Sequence, residues 1–91
     1  MIRSFRSKPL QVFAQKGLSR KLPVKNVRRL ERQLAVLNAA AKPDDLDLPG
    51  FHFHPLQGVP KRFSVRVTGN YRLTFAWDGN DAIDVDLEDY H

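Results

Sequence analysis

Residues 62–87 read Arg62-Phe63-Ser64-Val65-Arg66-Val67-Thr68-Gly69-Asn70-Tyr71-Arg72-Leu73-Thr74-Phe75-Ala76-Trp77-Asp78-Gly79-Asn80-Asp81-Ala82-Ile83-Asp84-Val85-Asp86-Leu87. Apolar and polar residues alternate with a period of two, the signature of half-buried strands. Arg62 to Val67 forms one such run, and Gly69-Asn70 marks a turn. In the next run Tyr71, Leu73, Phe75 and Trp77 share one face, with Arg72 and Thr74 on the other. Asp78-Gly79 signals a hairpin, lengthened by Asn80 and Asp81. The last run, Ala82 to Leu87, turns Ile83, Val85 and Leu87 inward and Asp84 and Asp86 outward. Upstream, Phe51-His52-Phe53-His54 alternates and stops at Pro55, which sets His52 and His54 on one strand face. A meander of about four antiparallel strands is expected.

Before residue 44 the period is helical, apart from Ile2 to Phe5, which alternates and reads as a short strand. Ser7 caps a first helix, and Pro9 sits in its first turn, where a missing N–H removes no bond. Leu10, Phe13 and Ala14 fall on one face, and Gly17 suits the terminating position. Leu18 to Leu22 connects to a second helix that starts near Pro23 and stops at Pro43. Its stripe is Val27, Leu30, Leu34, Leu37 and Ala41, at steps of three and four. Asp44 to Gly50 is a linker. A strand, a two-helix hairpin and then a meander define one α+β domain over residues 1–91, with the helices on one sheet face.

Composition narrows the function. The chain has no cysteine, so disulfide scaffolds, thiolate nucleophiles and cysteine metal sites are excluded. No apolar run approaches a membrane span, and Met1 to Lys8 is basic with no apolar stretch behind it. A cytoplasmic protein is expected. Residues 1–33 hold ten Lys and Arg against one acid, Glu31, within a formal net charge of +5. A basic half suggests a polyanionic partner, nucleic acid first, against the plainer reading of a solvated helix face.

The sheet face away from the helices displays Arg62, Ser64, Arg66, Arg72 and Thr74. Arg66 and Arg72 flank a tight turn and approach across the ladder. A phosphate between two guanidiniums would relieve their repulsion, and so would ion pairs to Asp84 and Asp86. The histidines, His52, His54 and His91, suit proton transfer at phosphate or plain structural roles. They form no tight ligand motif with Asp89, so neither a metal nor a cofactor is expected. No G-x-S-x-G elbow and no glycine-rich phosphate loop is present.

Met1-Ile2-Arg3-Ser4-Phe5, Leu48-Pro49-Gly50, His54-Pro55-Leu56-Gln57-Gly58, Ser64-Val65-Arg66-Val67, Asn70-Tyr71-Arg72-Leu73-Thr74-Phe75 and Glu88-Asp89-Tyr90-His91 occur in this order over nearly the whole chain. Together they resemble the HigB-type toxins of bacterial toxin–antitoxin systems, in the RelE/ParE superfamily. The resemblance implies a ribosome-dependent, metal-independent endoribonuclease that cuts messenger RNA. It implies a helix-turn-helix antitoxin as partner, and operator DNA only through that complex. Family roles fall on His54, Arg72, Asp89, Tyr90 and His91 as catalytic residues. The family's lysine after His-Pro-Leu is Gln57 here, with Lys61 and Arg62 as replacement charge. An arginine found in some members is replaced by Thr68-Gly69, with Arg66 as substitute. Arg20, Lys21, Lys25, Arg28, Arg29 and Arg32 would hold ribosomal RNA backbone. A gyrase inhibitor of the ParE type shares the fold but needs no proton-transfer groups. A plain nucleic-acid-binding module lacks a helix-turn-helix pattern here.

Overall fold

The computed structural model describes residues 1–89. In chain order it contains helix α1 (Lys8–Lys16), helix α2 (Val27–Ala39), a 3₁₀ turn (Pro43–Leu46) and strands β1 (His54–Leu56), β2 (Arg62–Arg66), β3 (Tyr71–Asp78) and β4 (Asp81–Asp89). The strands form one antiparallel sheet in the order β1-β2-β3-β4. This is the α+β arrangement expected from the change of period.

The start of α1 follows from its caps. The Ser7 side chain accepts the Leu10 N–H at 3.2 Å, and Gly17 ends the helix at φ 72, where a Cβ would be strained. Helix α2 begins four residues later than Pro23 suggests. Asn26 supplies the cap by accepting the Arg28 N–H at 3.3 Å, so residues 18–26 stay in the connection. The helix also stops early, because Ala40 is already extended at ψ 140. The linker is part of the core rather than a spacer. Asp45 accepts the Ala41 and Lys42 N–H groups, at 2.8 and 3.3 Å, and the turn this closes buries Leu46 completely.

The N-terminal segment makes isolated parallel bridges, Ile2 to Ala82 and Phe5 to Val85, instead of a strand. Phe51 to His54 also differs from expectation. Gly50 at φ 83 and His52 at φ 50 break the extended backbone, and the strand starts only at His54. Phe51 is nonetheless buried, and Phe53 stacks on Phe63 at 5.8 Å, so the alternation reflects side-chain burial without strand pairing.

One face of the sheet supplies Val65, Leu73, Phe75 and Val85, and the helices supply Leu10, Phe13, Leu30, Leu34 and Leu37. Strand β4 carries a bulge. Thr74 pairs with Asp86 but Ala76 pairs with Ile83, and Asp84 takes φ 51. One extra residue reverses which side chains face inward. Ala82 therefore fills the core beside Trp77, while Ile83, expected inward, pairs with Ala76 on the opposite face. Leu73 is fully buried at the centre of this arrangement. Leu73→Ala is expected to lower unfolding free energy by about 2–5 kcal/mol in urea titration, through lost burial and the cavity left behind.

Candidate active site

The sheet face away from the helices is organised by register. Arg66 lies opposite Arg72, and Arg72 opposite Glu88, so these three form one row. The adjacent row is His54, Ser64, Thr74 and Asp86, one residue from each strand. Neighbouring strands are about 4.8 Å apart, and diagonal neighbours about 7–8 Å between Cα atoms. His54 is the diagonal neighbour of Arg66, so an imidazole and two guanidiniums project from one patch. His54 and Arg66 are exposed, and Arg72 is half-buried.

The backbone at Arg66 is fixed from two sides. Its N–H donates to the Phe51 carbonyl at 2.8 Å, and its carbonyl accepts from Gln33 Nε2 at 2.7 Å. Gln33 is fully buried on α2. The sequence carried a signal for it, a polar residue on the apolar stripe three positions after Leu30, but the periodicity reading passed over it.

The centre of the face is not open. Ser64 and Thr74 are buried, and the Arg62 side chain is only 13% exposed. Arg62 Nη2 donates to Thr74 Oγ1 at 2.9 Å and to the Asp84 carbonyl at 2.8 Å, and lies 4.0 Å from Glu88. The Thr74 hydroxyl in turn donates to the Glu88 carboxylate. Burial, and after it the charge of Arg6, lower the Arg62 pKa from its ordinary value, while Glu88, Asp86 and Asp84 act to raise it. The acid opposite Arg72 in the ladder is Glu88 rather than Asp84 or Asp86. Sequence reasoning missed the linkage of Glu88, Thr74 and Arg62, which spans three strands.

The remaining expected residues separate. Lys61 lies over the Phe63 ring at 5.7 Å, beside the edge strand. His52 sits in the turn before β1 and shares no strand face with His54. Asp89 ends β4 opposite Tyr71. Tyr90 and His91 lie outside the described residues. Among the described residues no cluster of three or more ligands suited to a metal forms, and no helix is long and apolar enough to cross a membrane.

The basic residues of the first third form two patches rather than one strip. Arg28, Arg29 and Arg32 line a groove of about 340 Å³ with Pro49, Gly50 and Phe51. Arg29 donates to the Gly50 carbonyl, and the Arg32 guanidinium lies over the Phe51 ring at 5.4 Å. Arg20 and Lys21 line a different hollow, with Lys8, Pro9, Val12 and Leu18. Lys25 lines neither.

The sequence profile described as the RelE-like toxin of the type II toxin–antitoxin system HigB matches residues 3–91. The chain belongs to the HigB-like toxin family. It is similar to the Endoribonuclease HigB of Proteus vulgaris, with 33% identity over 92 residues, covering all of both chains. Within this family fold, Gln33 joins helix α2 to the strand that carries Arg66. Gln33→Leu is expected to destabilise the domain by about 1 kcal/mol in thermal unfolding, the net worth of one intramolecular hydrogen bond. Amide exchange at Phe51, Phe53 and Arg66 should speed up in the same variant.

Proposed function

We propose that this chain is the toxin of a type II toxin–antitoxin pair and cuts messenger RNA bound to the ribosome. The observation that carries the reading is the shared patch of His54, Arg66 and Arg72, fixed by the β1–β2–β3 register. Family membership and the name of the Proteus vulgaris relative point the same way.

The chemistry follows from what RNA needs. The ribose 2′ oxygen attacks the adjacent phosphorus as its proton is removed, and the bond from phosphorus to the 5′ oxygen breaks as that oxygen gains a proton. The products are a 2′,3′-cyclic phosphate and a 5′ hydroxyl. Imidazole titrates near neutral pH, so His54 and His91 take the two proton transfers between them. His91 is two residues beyond Asp89, a reach of at most ~7 Å from the end of β4 beside Arg72. Arg72, with Arg66 across the ladder, stabilises the charge that builds on the phosphoryl oxygens. Asp89 orients His91, and Tyr90 stacks on a base or bonds the phosphate. Lys61 and Arg62 add positive potential along the approach to this patch, while Arg20, Lys21, Lys25, Arg28, Arg29 and Arg32 hold ribosomal RNA backbone without reading sequence. The reaction calls for no metal or other cofactor. A helix-turn-helix antitoxin neutralises the toxin in the cytoplasm, and operator DNA is reached through that complex.

Brief induction followed by primer extension on cellular messages should map discrete cuts whose downstream ends carry 5′ hydroxyls. Arg72→Ala should slow cleavage about 10²–10³-fold, the usual loss for one well-aimed donor, with circular dichroism unchanged. His54→Ala and His91→Ala should each lose most activity, and a folded variant of either with full activity removes that histidine from the mechanism. Uncut messages, or downstream ends bearing phosphate, would reject the reaction itself. Reversing charge at Arg28, Arg29 and Arg32 together should weaken ribosome binding and flatten its dependence on salt. Unchanged binding would leave that helix face merely solvated.

A further inference from the structure

The acid nearest the guanidinium pair poses a problem that the fold solves. Glu88 is in register with Arg72, with Cβ atoms about 5 Å apart in such a pair. A carboxylate there competes with RNA phosphate for the same forked donors. Its Oε2 atom is instead drawn along the strand toward the neighbouring row, where it accepts the Thr74 hydroxyl and faces Arg62 at 4.0 Å. Arg62 is placed to hold it there. Its Nη2 is fixed by Thr74 and by the Asp84 carbonyl. That carbonyl is available because the bulge at Asp84 breaks the β3–β4 ladder beside it. The Nε and Nη1 atoms of Arg62 are buried, with no hydrogen-bond partner among the described residues. A guanidinium so enclosed is poorly placed to meet an incoming phosphate itself.

We infer that Arg62 is a positioning residue: with Thr74 it restrains the Glu88 carboxylate so that Arg72 and Arg66 stay available to phosphate. This rests on the nuclease reading for its phosphate, but its geometry does not. It also revises the part given to Arg62, from touching RNA to keeping an acid out of RNA's way.

Two measurements test it on the full chain. The first is cleavage of a short message on programmed ribosomes, resolved into rate and half-saturating concentration. The second is titration of the isolated protein with inorganic phosphate, following the Arg72 Nε resonance by NMR. Arg62→Met should raise half-saturation and weaken the phosphate response about tenfold, within the range found for coupled neighbours. Adding Glu88→Gln to Arg62→Met should recover most of that loss, because an amide does not compete as an anion. Thr74→Val removes the hydroxyl while keeping Arg62, and should show a smaller loss with the same rescue. It decides the matter if Arg62→Met does not fold. A double variant as weak as Arg62→Met would mean that Arg62 contacts RNA directly and would overturn the inference. So would an Arg62→Met protein that matches wild type, or an Arg72 resonance indifferent to phosphate. Loss of cleavage in the wild-type protein with the phosphate titrations intact would strike the nuclease reading and leave the restraint standing.

Discussion

The register of the antiparallel ladder is the constraint on which the rest depends. Side chains alternate across a strand, so a slip of one residue in pairing would send every guanidinium to the core side and every core residue to solvent. Two features prevent the slip. Leu73, Phe75 and Val65 are fully buried against helices, which fixes parity on β2 and β3. The short turn at residues 67–70 then forces Arg66 opposite Arg72, with Val67 N–H donating to the Tyr71 carbonyl at 3.0 Å. Repulsion between two adjacent cations is a fraction of the transfer free energy of three buried apolar side chains, so the core decides the pairing and the arginines follow.

The bulge at Asp84 shows the same hierarchy. A left-handed backbone at a non-glycine residue is unfavourable by roughly 1–2 kcal/mol, less for aspartate than for most. It lets both ends of β4 meet the core, Val85 and Leu87 on one side and Ala82 on the other. It also frees the Asp84 carbonyl from the ladder and offers it to Arg62. A backbone defect needed for packing thus supplies an acceptor to a buried cation. Without that acceptor and Thr74, a guanidinium this enclosed would be strongly unfavourable.

What the sequence displayed and what it hid divide along the same line. Contacts set by local rules were legible: the Ser7 cap, the Gly17 stop, the turn at Gly69-Asn70 and the approach of Arg66 to Arg72. The start of α2 was not, because proline at 23 and asparagine at 26 both suit a helix beginning and only the hydrogen bond distinguishes them. Phe51 to His54 looked like strand because burial alternates there, while positive φ at Gly50 and His52 is invisible to periodicity. The inward placement of Ile83 failed for the want of one bulge residue. The Arg62–Thr74–Glu88 linkage depends on that bulge and on pairing across three strands, so no spacing along the chain announces it. His54 was visible as a candidate, but its diagonal relation to Arg66 needed the β1 register.

A domain of 91 residues has little room to separate where it binds from where it reacts. The arginines of α2 lie on the groove side of the helix, and Gln33, next to Arg32, turns inward to the Arg66 carbonyl. Phe51 receives the Arg32 guanidinium on its ring and the Arg66 N–H on its carbonyl. One buried ring and one buried amide therefore join the basic helix face to the strand that presents a guanidinium. Both groups are close-packed, and interiors at that density shift as a unit rather than yielding locally. Whatever rests on Arg28, Arg29 and Arg32 rests on the support of Arg66 as well, so docking and phosphate binding on this small fold share one mechanical foundation.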